Sequence, residues 1–197
     1  MKILNLYAGI GGNRKLWDGH DITAVEINPK IAKIYQDLFP NDKVIVGDAH
    51  EYLRRYFRDY DFIWSSPPCP THSILQMTRK NSGALKYPDM TLYQEILLLQ
   101  NFFGGGWVVE NVQPFYKPLI PPTFVMERHC YWSNKFVLGA GHSDGSYSKI
   151  RDDSRKMAEK YGYTIDAFTK QIDVRKALRN AVKPEDGKFI LEQFINE

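Results

Sequence analysis

Apolar residues along the first half of the chain fall into two kinds of run. "KILNLY" (Lys2 to Tyr7), "DITAVE" (Asp21 to Glu26), "KVIVG" (Lys43 to Gly47), "YDFIWS" (Tyr60 to Ser65) and "GWVVE" (Gly106 to Glu110) are short, β-rich and mostly apolar, as buried strands are. Between them lie helical patterns: Asn13 to Trp17, "NPKIAKIYQDLF" with Asn28 as N-cap and Pro29 at the first helical position, "AHEYLRRYF", and "TLYQEILLLQNFF". Strands alternating with helices predict a mostly parallel, doubly wound α/β sheet. No internal repeat or low-complexity linker interrupts the pattern, so the 197 residues are read as one domain.

In such a sheet, ligands bind beyond the carboxyl ends of the strands. The predicted ends carry "YAGIGG" (Tyr7 to Gly12), Glu26, Asp48, Ser66-Pro67-Pro68-Cys69 and Glu110-Asn111. Glycines at a strand-to-helix turn let the backbone approach a ligand closely. An acidic residue at the end of the second strand suits the two hydroxyls of a ribose. Together they imply an adenosine-type cofactor. A nicotinamide fingerprint needs a third glycine where the chain has Arg14, and no G-K-[ST] follows the glycines to make a phosphate loop. A cofactor without a pyrophosphate fits better, and S-adenosylmethionine is the common one.

"FIWSSPPCPTHS" (Phe62 to Ser73) places one of the two cysteines directly after a Pro-Pro pair. Two prolines remove two backbone donors, so the chain leaves the sheet there as a stiff loop. Taken alone, the stretch fits a presented thiol and a small buried hydrophobe equally well. Two cysteines give neither a disulfide framework nor a Cys-based metal site. A net charge of +3, from 26 basic and 23 acidic residues, permits a nucleic-acid partner without arguing for one. The longest apolar cluster, "ILLLQNFF", is too short to span a bilayer, and no signal-peptide pattern follows Met1, so a cytoplasmic protein without membrane contact is expected.

The chain resembles DNA (cytosine-5)-methyltransferases, through "LYAGIGG" near the N-terminus, "SSPPCPTHS", "VVENV" (Val108 to Val112) and "ALRNAVKP" (Ala177 to Pro184), in that order. The resemblance implies a Rossmann-like S-adenosylmethionine-dependent methyltransferase fold. It implies that Tyr7, Gly9, Gly11 and Gly12 line the methionine part of the cofactor, that Glu26 holds the ribose and that Asp48 holds the adenine amino group. Asn180 and Val182 complete the pocket, with Ala8, Ile27, Ala49 and Pro67 as further contacts. Two positions depart from the family pattern. Pro70 stands where a glutamine is usual after Pro-Cys, and the usual pair of arginines is best matched by Arg128, with Cys130 in the second place.

The implied chemistry is covalent. The Cys69 thiolate attacks C6 of cytosine, Glu110 supports N3 while protonated or sharing a proton, and C5 takes the methyl group. A nearby cation, with Arg128 the candidate, is expected to lower the Cys69 pKa. The target cytosine of a DNA duplex is flipped into the pocket. Thr71 to Asp89 reads as a lid, with Ser73, Arg79, Lys80 and Lys86 as nucleic-acid contacts. Between Arg128 and Asn180 a strand "CYWSNKFVL" (Cys130 to Leu138) and a helix Arg151 to Gly162 take up much of the interval, so residues 137–172 leave room only for a reduced target-recognition insertion with the loop Gly139 to Ile150 to read bases, which points to a short or degenerate site or a specificity partner protein. Three other readings remain: an RNA (tRNA) cytosine-5-methyltransferase, a non-catalytic cofactor- or DNA-binding subunit, and an amino-methyltransferase using "SSPPC" as its S-P-P-type loop.

Overall fold

The computed structural model describes residues 1–74, 76–77, 86–137, 156, 158–159, 161–164 and 172–195. Its strands are β1 (Lys2–Leu6), β2 (Asp21–Glu26), β3 (Lys43–Val46), β4 (Phe62–Ser65), β5 (Gly106–Val112), β6 (Phe124–Met126) and β7 (His129–Ser133). They form one sheet in the order β3-β2-β1-β4-β5-β7-β6. The first five run parallel, β7 is antiparallel to β5, and β6 is antiparallel to β7. The helices are α1 (Pro29–Leu38), α2 (Ala49–Tyr56), α3 (Thr91–Phe102), α4 (Val174–Asn180) and α5 (Pro184–Ile195), with a 3-10 turn at Phe57–Asp59.

The period-two alternation of the strands sorts the core into two layers. Leu4, Leu6, Val25, Ile63, Trp107, Val109 and Trp132 face α2 and α3, meeting Leu53, Leu92, Ile96 and Leu99. Ile3, Ile22, Phe62, Trp64, Val108 and Tyr131 face α5, meeting Ile190 and Leu191. Tyr35 of α1 packs with Ala8 and Ala24, and Ala24 shares its side of β2 with Ile22. Helices thus cover both faces, and the sheet is the doubly wound, mostly parallel α/β architecture expected. Among the described residues no helix is long and apolar enough to cross a membrane.

The caps are as the sequence suggests: the Asn28 side chain accepts hydrogen bonds from the backbone N–H groups of Lys30 and Ile31, with Pro29 opening α1. Three elements differ. Asn13 to Trp17 is a series of turns, because Asn13 is drawn inward to a buried amide pair with Asn5 (2.8 Å) and the Arg14 guanidinium turns back to the Trp17 carbonyl (2.7 Å). β5 continues through Val112, so Glu110 and Asn111 lie within the strand; the cause is β7, which pairs with Val108 to Val112. β7 stops at Ser133, where the Asn134 side chain turns back to accept a bond from the Trp107 N–H. Of the helix expected at 151–162, Lys156, Ala158 and Glu159 are helical, and most of the remainder lies outside the described residues, as does the loop at 139–150.

α5 docks through a close backbone contact. Trp17, nearly fully buried, donates its indole N–H to the Gly187 carbonyl (3.0 Å), and a Cβ on Gly187 would sit 2.2 Å from the Asn13 carbonyl oxygen. Helix propensity alone makes Gly187→Ala stabilising by about 1 kcal/mol. Overpacking against a fixed backbone atom costs about 1–3 kcal/mol, and this contact is too short for a side chain to yield. Chemical denaturation of G187A should therefore give a lower midpoint than the parent. A raised midpoint would show that α5 does not press on Asn13.

Candidate active site

β4 ends at Ser65 and Pro67 takes the chain out of the sheet, leaving β5 without a partner on that side beyond Val109. The vacated flank is filled by the cysteine loop itself. Asn111 Nδ2 donates to the Pro67 carbonyl (2.9 Å), and the chain then turns tightly, with the N–H groups of His72 and Ser73 both bonded to the Cys69 carbonyl (3.0 Å each). The loop is laced to the segment after β5. The Phe115 N–H donates to the His72 carbonyl (3.0 Å), Ser73 bridges Pro114, and His72 shares a 2.6 Å hydrogen bond with the Tyr116 hydroxyl. The Asp89 N–H donates to Thr71 Oγ1 (3.0 Å) on the other side. Cys69 is held, and its side chain is only partly buried.

Glu110 lies inside the protein on the α5 side of β5. Burial pushes its pKa from 4.5 up to about 7, against the opposing effects of a hydrogen bond from Ser66 and the charge of Arg128. A carboxyl near neutrality both gives and takes a proton at pH 7. His129 Nε2 lies 3.7 Å from Glu110 Oε1. Burial, reinforced by Arg128, holds His129 down at about 4, so the contact is with a neutral imidazole and is not an ion pair. The expectation of a lowered Cys69 pKa is corrected: burial and the Glu110 charge push the thiol up, and Arg128 opposes them without prevailing. Arg128 sits in the β6–β7 turn, exposed, with its guanidinium on the Arg179 carbonyl (3.2 Å). Cys130 faces the opposite side of the sheet, in the core against α3, with its thiol pushed up to about 11 by burial.

At the end of β2, Glu26 accepts from the Gly9 N–H (3.0 Å) and the Asn28 N–H (2.8 Å), one bond per carboxylate oxygen. Each oxygen keeps a lone pair for a further donor. Gly9, at φ +55°, is the open position: a Cβ there would meet only the Tyr7 carbonyl, 3.9 Å away. The neighbouring glycines are filled in. A Cβ on Gly11 would strike the Phe39 ring at 2.3 Å, and one on Gly12 would strike the Val182 carbonyl at 2.3 Å. These two pack the loop onto α1 and onto the C-terminal segment, and offer a cofactor their backbone alone. Tyr7 also has a positive φ of 55°, which for a residue with a Cβ costs roughly 1–2 kcal/mol. Its hydroxyl is spent on Glu95 at 2.6 Å.

The remaining cofactor candidates divide by exposure. Ile27 is 66% exposed beside Glu26, an apolar side chain free to lie against a flat ring. Asp48 is exposed and caps α2 through Oδ1, leaving Oδ2 toward solvent or ligand. Ala8, Ala49 and Val182 are buried, and the side chains of Ala49 and Val182 belong to the two core layers, so their contribution to a ligand is again backbone. Pro67 is buried and bonded to Asn111, and Asn180 is the exposed last residue of α4. Glu26, an open glycine and an exposed aliphatic residue fit the ribose and adenine of an adenosine-type cofactor. Of the nucleic-acid candidates, Ser73 lies on the cysteine loop and Lys86 is exposed beyond it; Arg79 and Lys80 lie outside the described residues. Within 137–172, Ala158, Tyr161 and Tyr163 pack on Ile10 and Ile34, and Tyr163 donates to the Ile10 carbonyl (3.2 Å).

Sequence reasoning missed His129, Asn111 as a loop anchor, and Glu95. A polar residue inside an apolar helical stripe was the available signal for Glu95. His129 adjoins the candidate arginine but carries no pattern of its own.

The model of the C-5 cytosine-specific DNA methylase family matches residues 1–118. A tRNA (cytosine(38)-C(5))-methyltransferase of Spodoptera frugiperda is 33% identical over 75 residues, which are 34% of this chain and 23% of that protein. Among solved structures, Spodoptera frugiperda DNMT2 is 26% identical, with a TM-score of 0.41 over 58% of this chain and 36% of that one. The Entamoeba histolytica methyltransferase EhMeth is 16% identical, with a TM-score of 0.38 over 57% and 38%. The chain thus spans less than half the length of these relatives. A family match over more than half of the chain, on the stretch that carries the glycine turn, Cys69 and Glu110, shows that the protein belongs to the S-adenosylmethionine-dependent C-5 cytosine-specific DNA methylase family.

Proposed function

We propose that the protein transfers a methyl group to C5 of cytosine in DNA through a covalent bond to Cys69. The observation that carries this reading is the lacing of the Cys69 loop to the strand that holds a buried carboxyl near neutrality, Glu110. C5 of cytosine is a poor nucleophile. As the Cys69 thiolate adds to C6, the ring electrons move toward N3, and Glu110 gives N3 a proton. C5 is now the nucleophilic carbon of an enamine. When bound, S-adenosylmethionine would supply the electrophilic methyl group that C5 takes, with S-adenosylhomocysteine as the leaving group. Loss of the C5 proton to a base then restores the ring, the Sγ–C6 bond breaks, and the thiolate and the Glu110 proton return to their starting places. Arg128 acts on both groups by charge, favouring the thiolate. Ser73 and Lys86 contact the nucleic-acid backbone, with Arg79 and Lys80 assigned there from sequence. Glu26 and Ile27 hold the ribose and adenine, while Tyr7, Ala8, Gly9, Gly11, Gly12, Asp48, Ala49, Pro67, Asn180 and Val182 shape the rest of that pocket.

The DNA reading follows the family description. The second reading, methylation of tRNA, is favoured by the Spodoptera frugiperda relative, whose name specifies a tRNA cytosine. The chain is read as one methyltransferase domain in which 137–172 is a reduced recognition insertion, so a specificity partner is part of the proposal. Incubating the purified protein with radiolabelled S-adenosylmethionine and either duplex DNA or tRNA separates the two readings. Label in DNA supports the first, label in tRNA the second, and label in neither overturns both.

Cys69→Ala should abolish transfer while leaving cofactor affinity nearly unchanged, as measured by calorimetry; substantial remaining turnover would remove Cys69 from the chemistry. Glu26→Ala should weaken cofactor binding with little change in the saturated rate, and the opposite pattern would remove Glu26 from the ribose site. Glu110→Gln should lower the rate by about 10²–10⁴-fold. It also has a stability signature. A carboxyl whose folded pKa is raised from 4.5 to about 7 stabilises the fold fully below pH 4.5, and that contribution is lost as pH rises through 7. The parent's melting temperature should therefore fall relative to that of Glu110→Gln between pH 4.5 and 8. Parallel curves would show that folding does not raise the Glu110 pKa.

A further inference from the structure

Glu95 of α3 is fully buried, yet no step of the proposed reaction uses it. Its carboxylate gathers three donors from three other elements. The Tyr7 hydroxyl donates to Oε1 (2.6 Å), His50 Nδ1 of α2 donates to Oε1 (3.1 Å), and Ser65 Oγ donates to Oε2 (2.5 Å). Tyr7 opens the glycine turn, and Ser65 is the last residue of β4 before Ser66-Pro67-Pro68-Cys69. A single side chain therefore grips the start of the cofactor turn and the start of the cysteine loop.

Two features show that this grip is a demand on the fold and not an incidental contact. A buried carboxylate is tolerated only when fully hydrogen-bonded, and here two of the donors, Tyr7 and Ser65, stand where the β1–β4 ladder ends at the Leu6–Ser65 pair and the glycine turn and the cysteine loop begin. Tyr7 also holds a backbone conformation that residues with a Cβ rarely adopt, and its hydroxyl is anchored to Glu95. Release of that anchor frees the strained turn to relax.

We propose that Glu95 is a positioning residue that sets the distance between the bound methyl donor and the Cys69-held base, by tying Tyr7 and Ser65 to one carboxylate. The inference rests on the functional reading above for its consequence, and on the hydrogen bonds alone for its mechanics. Transfer requires reacting atoms within about 3–3.5 Å, and a displacement of about 1 Å costs of order 10²-fold. Loosening the tie should therefore act on transfer far more than on binding.

The test compares Glu95→Gln, Tyr7→Phe and Ser65→Ala with the parent in two measurements. The first is amide hydrogen exchange of the protein without cofactor. In Glu95→Gln, peptides covering 7–13 and 64–73 should both exchange faster, while those covering β2 and β3 stay unchanged. Faster exchange confined to α3, or spread evenly over the sheet, would overturn the tie. The second is single-turnover methyl transfer at saturating cofactor, which should fall by about 10-fold or more in Glu95→Gln, with cofactor affinity changed less than about threefold. A rate loss matched by an equal affinity loss would overturn the positioning role. Should Glu95→Gln fail to fold, Tyr7→Phe and Ser65→Ala each remove one bond, and each should loosen both segments; loosening of its own segment alone would overturn the shared tie. A parent protein that methylates neither DNA nor tRNA would defeat the functional reading, while the exchange result would still decide the tie.

Discussion

The antiparallel pairing of β5 with β7 keeps Glu110 in a strand after β4 has left the sheet. Val109 is the last residue of β5 paired to β4, whereas Val108 to Val112 all pair with β7. Without β7, the chain beyond Val109 would have no ladder to hold it, and Glu110 and Asn111 would be loop residues with unsettled orientation. With it, alternation sends Glu110 to one side of the sheet and Asn111 to the other, where the Asn111 amide takes the Pro67 carbonyl. The prolines and the strand extension are therefore complementary. Pro67 and Pro68 end one ladder, and the freed edge of the neighbouring strand becomes the support on which the cysteine loop lies.

That arrangement accounts for the electrostatics. A carboxyl carried on a central strand is buried as deeply as the strand, which lifts Glu110 toward neutrality. The same burial lifts the Cys69 thiol, and the Glu110 charge lifts it further. The Glu110 charge opposes ionisation of Cys69, so a proton on Glu110 eases loss of the proton from Cys69. Arg128, placed at the β6–β7 turn, favours the anionic form of both.

The alternation of strands and helices was legible because buried parallel strands are apolar at nearly every position, and the Asn28-Pro29 cap announces itself. The Asn13–Trp17 helix was not formed, because tertiary contacts to Asn5 and Gly187 override five residues of weak propensity. The motif residues do lie together beyond the carboxyl ends of the strands, but the sequence did not show how they differ from one another. Gly9 is open while Gly11 and Gly12 are packing positions, a distinction that depends on Phe39 and Val182 arriving from elsewhere in the chain. β6 and α5 were missed, the first because three residues carry no period, the second because its apolar face begins immediately after a proline that reads as a stop. Glu95 shares the buried stripe of Leu92, Ile96 and Leu99, an anomaly visible in sequence whose partners, Tyr7, His50 and Ser65, are not.

Cys69, held against β5, is proposed to bond covalently to the base. The most direct measurement is mass spectrometry of the protein after incubation with S-adenosylmethionine and an oligonucleotide containing 5-fluorocytosine, whose C5 fluorine blocks the final elimination. The account predicts a protein–oligonucleotide adduct that maps to the peptide containing Cys69 and disappears when Glu110 or Cys69 is replaced. No adduct on DNA or on the corresponding tRNA substrate, or an adduct on Cys130, would contradict it.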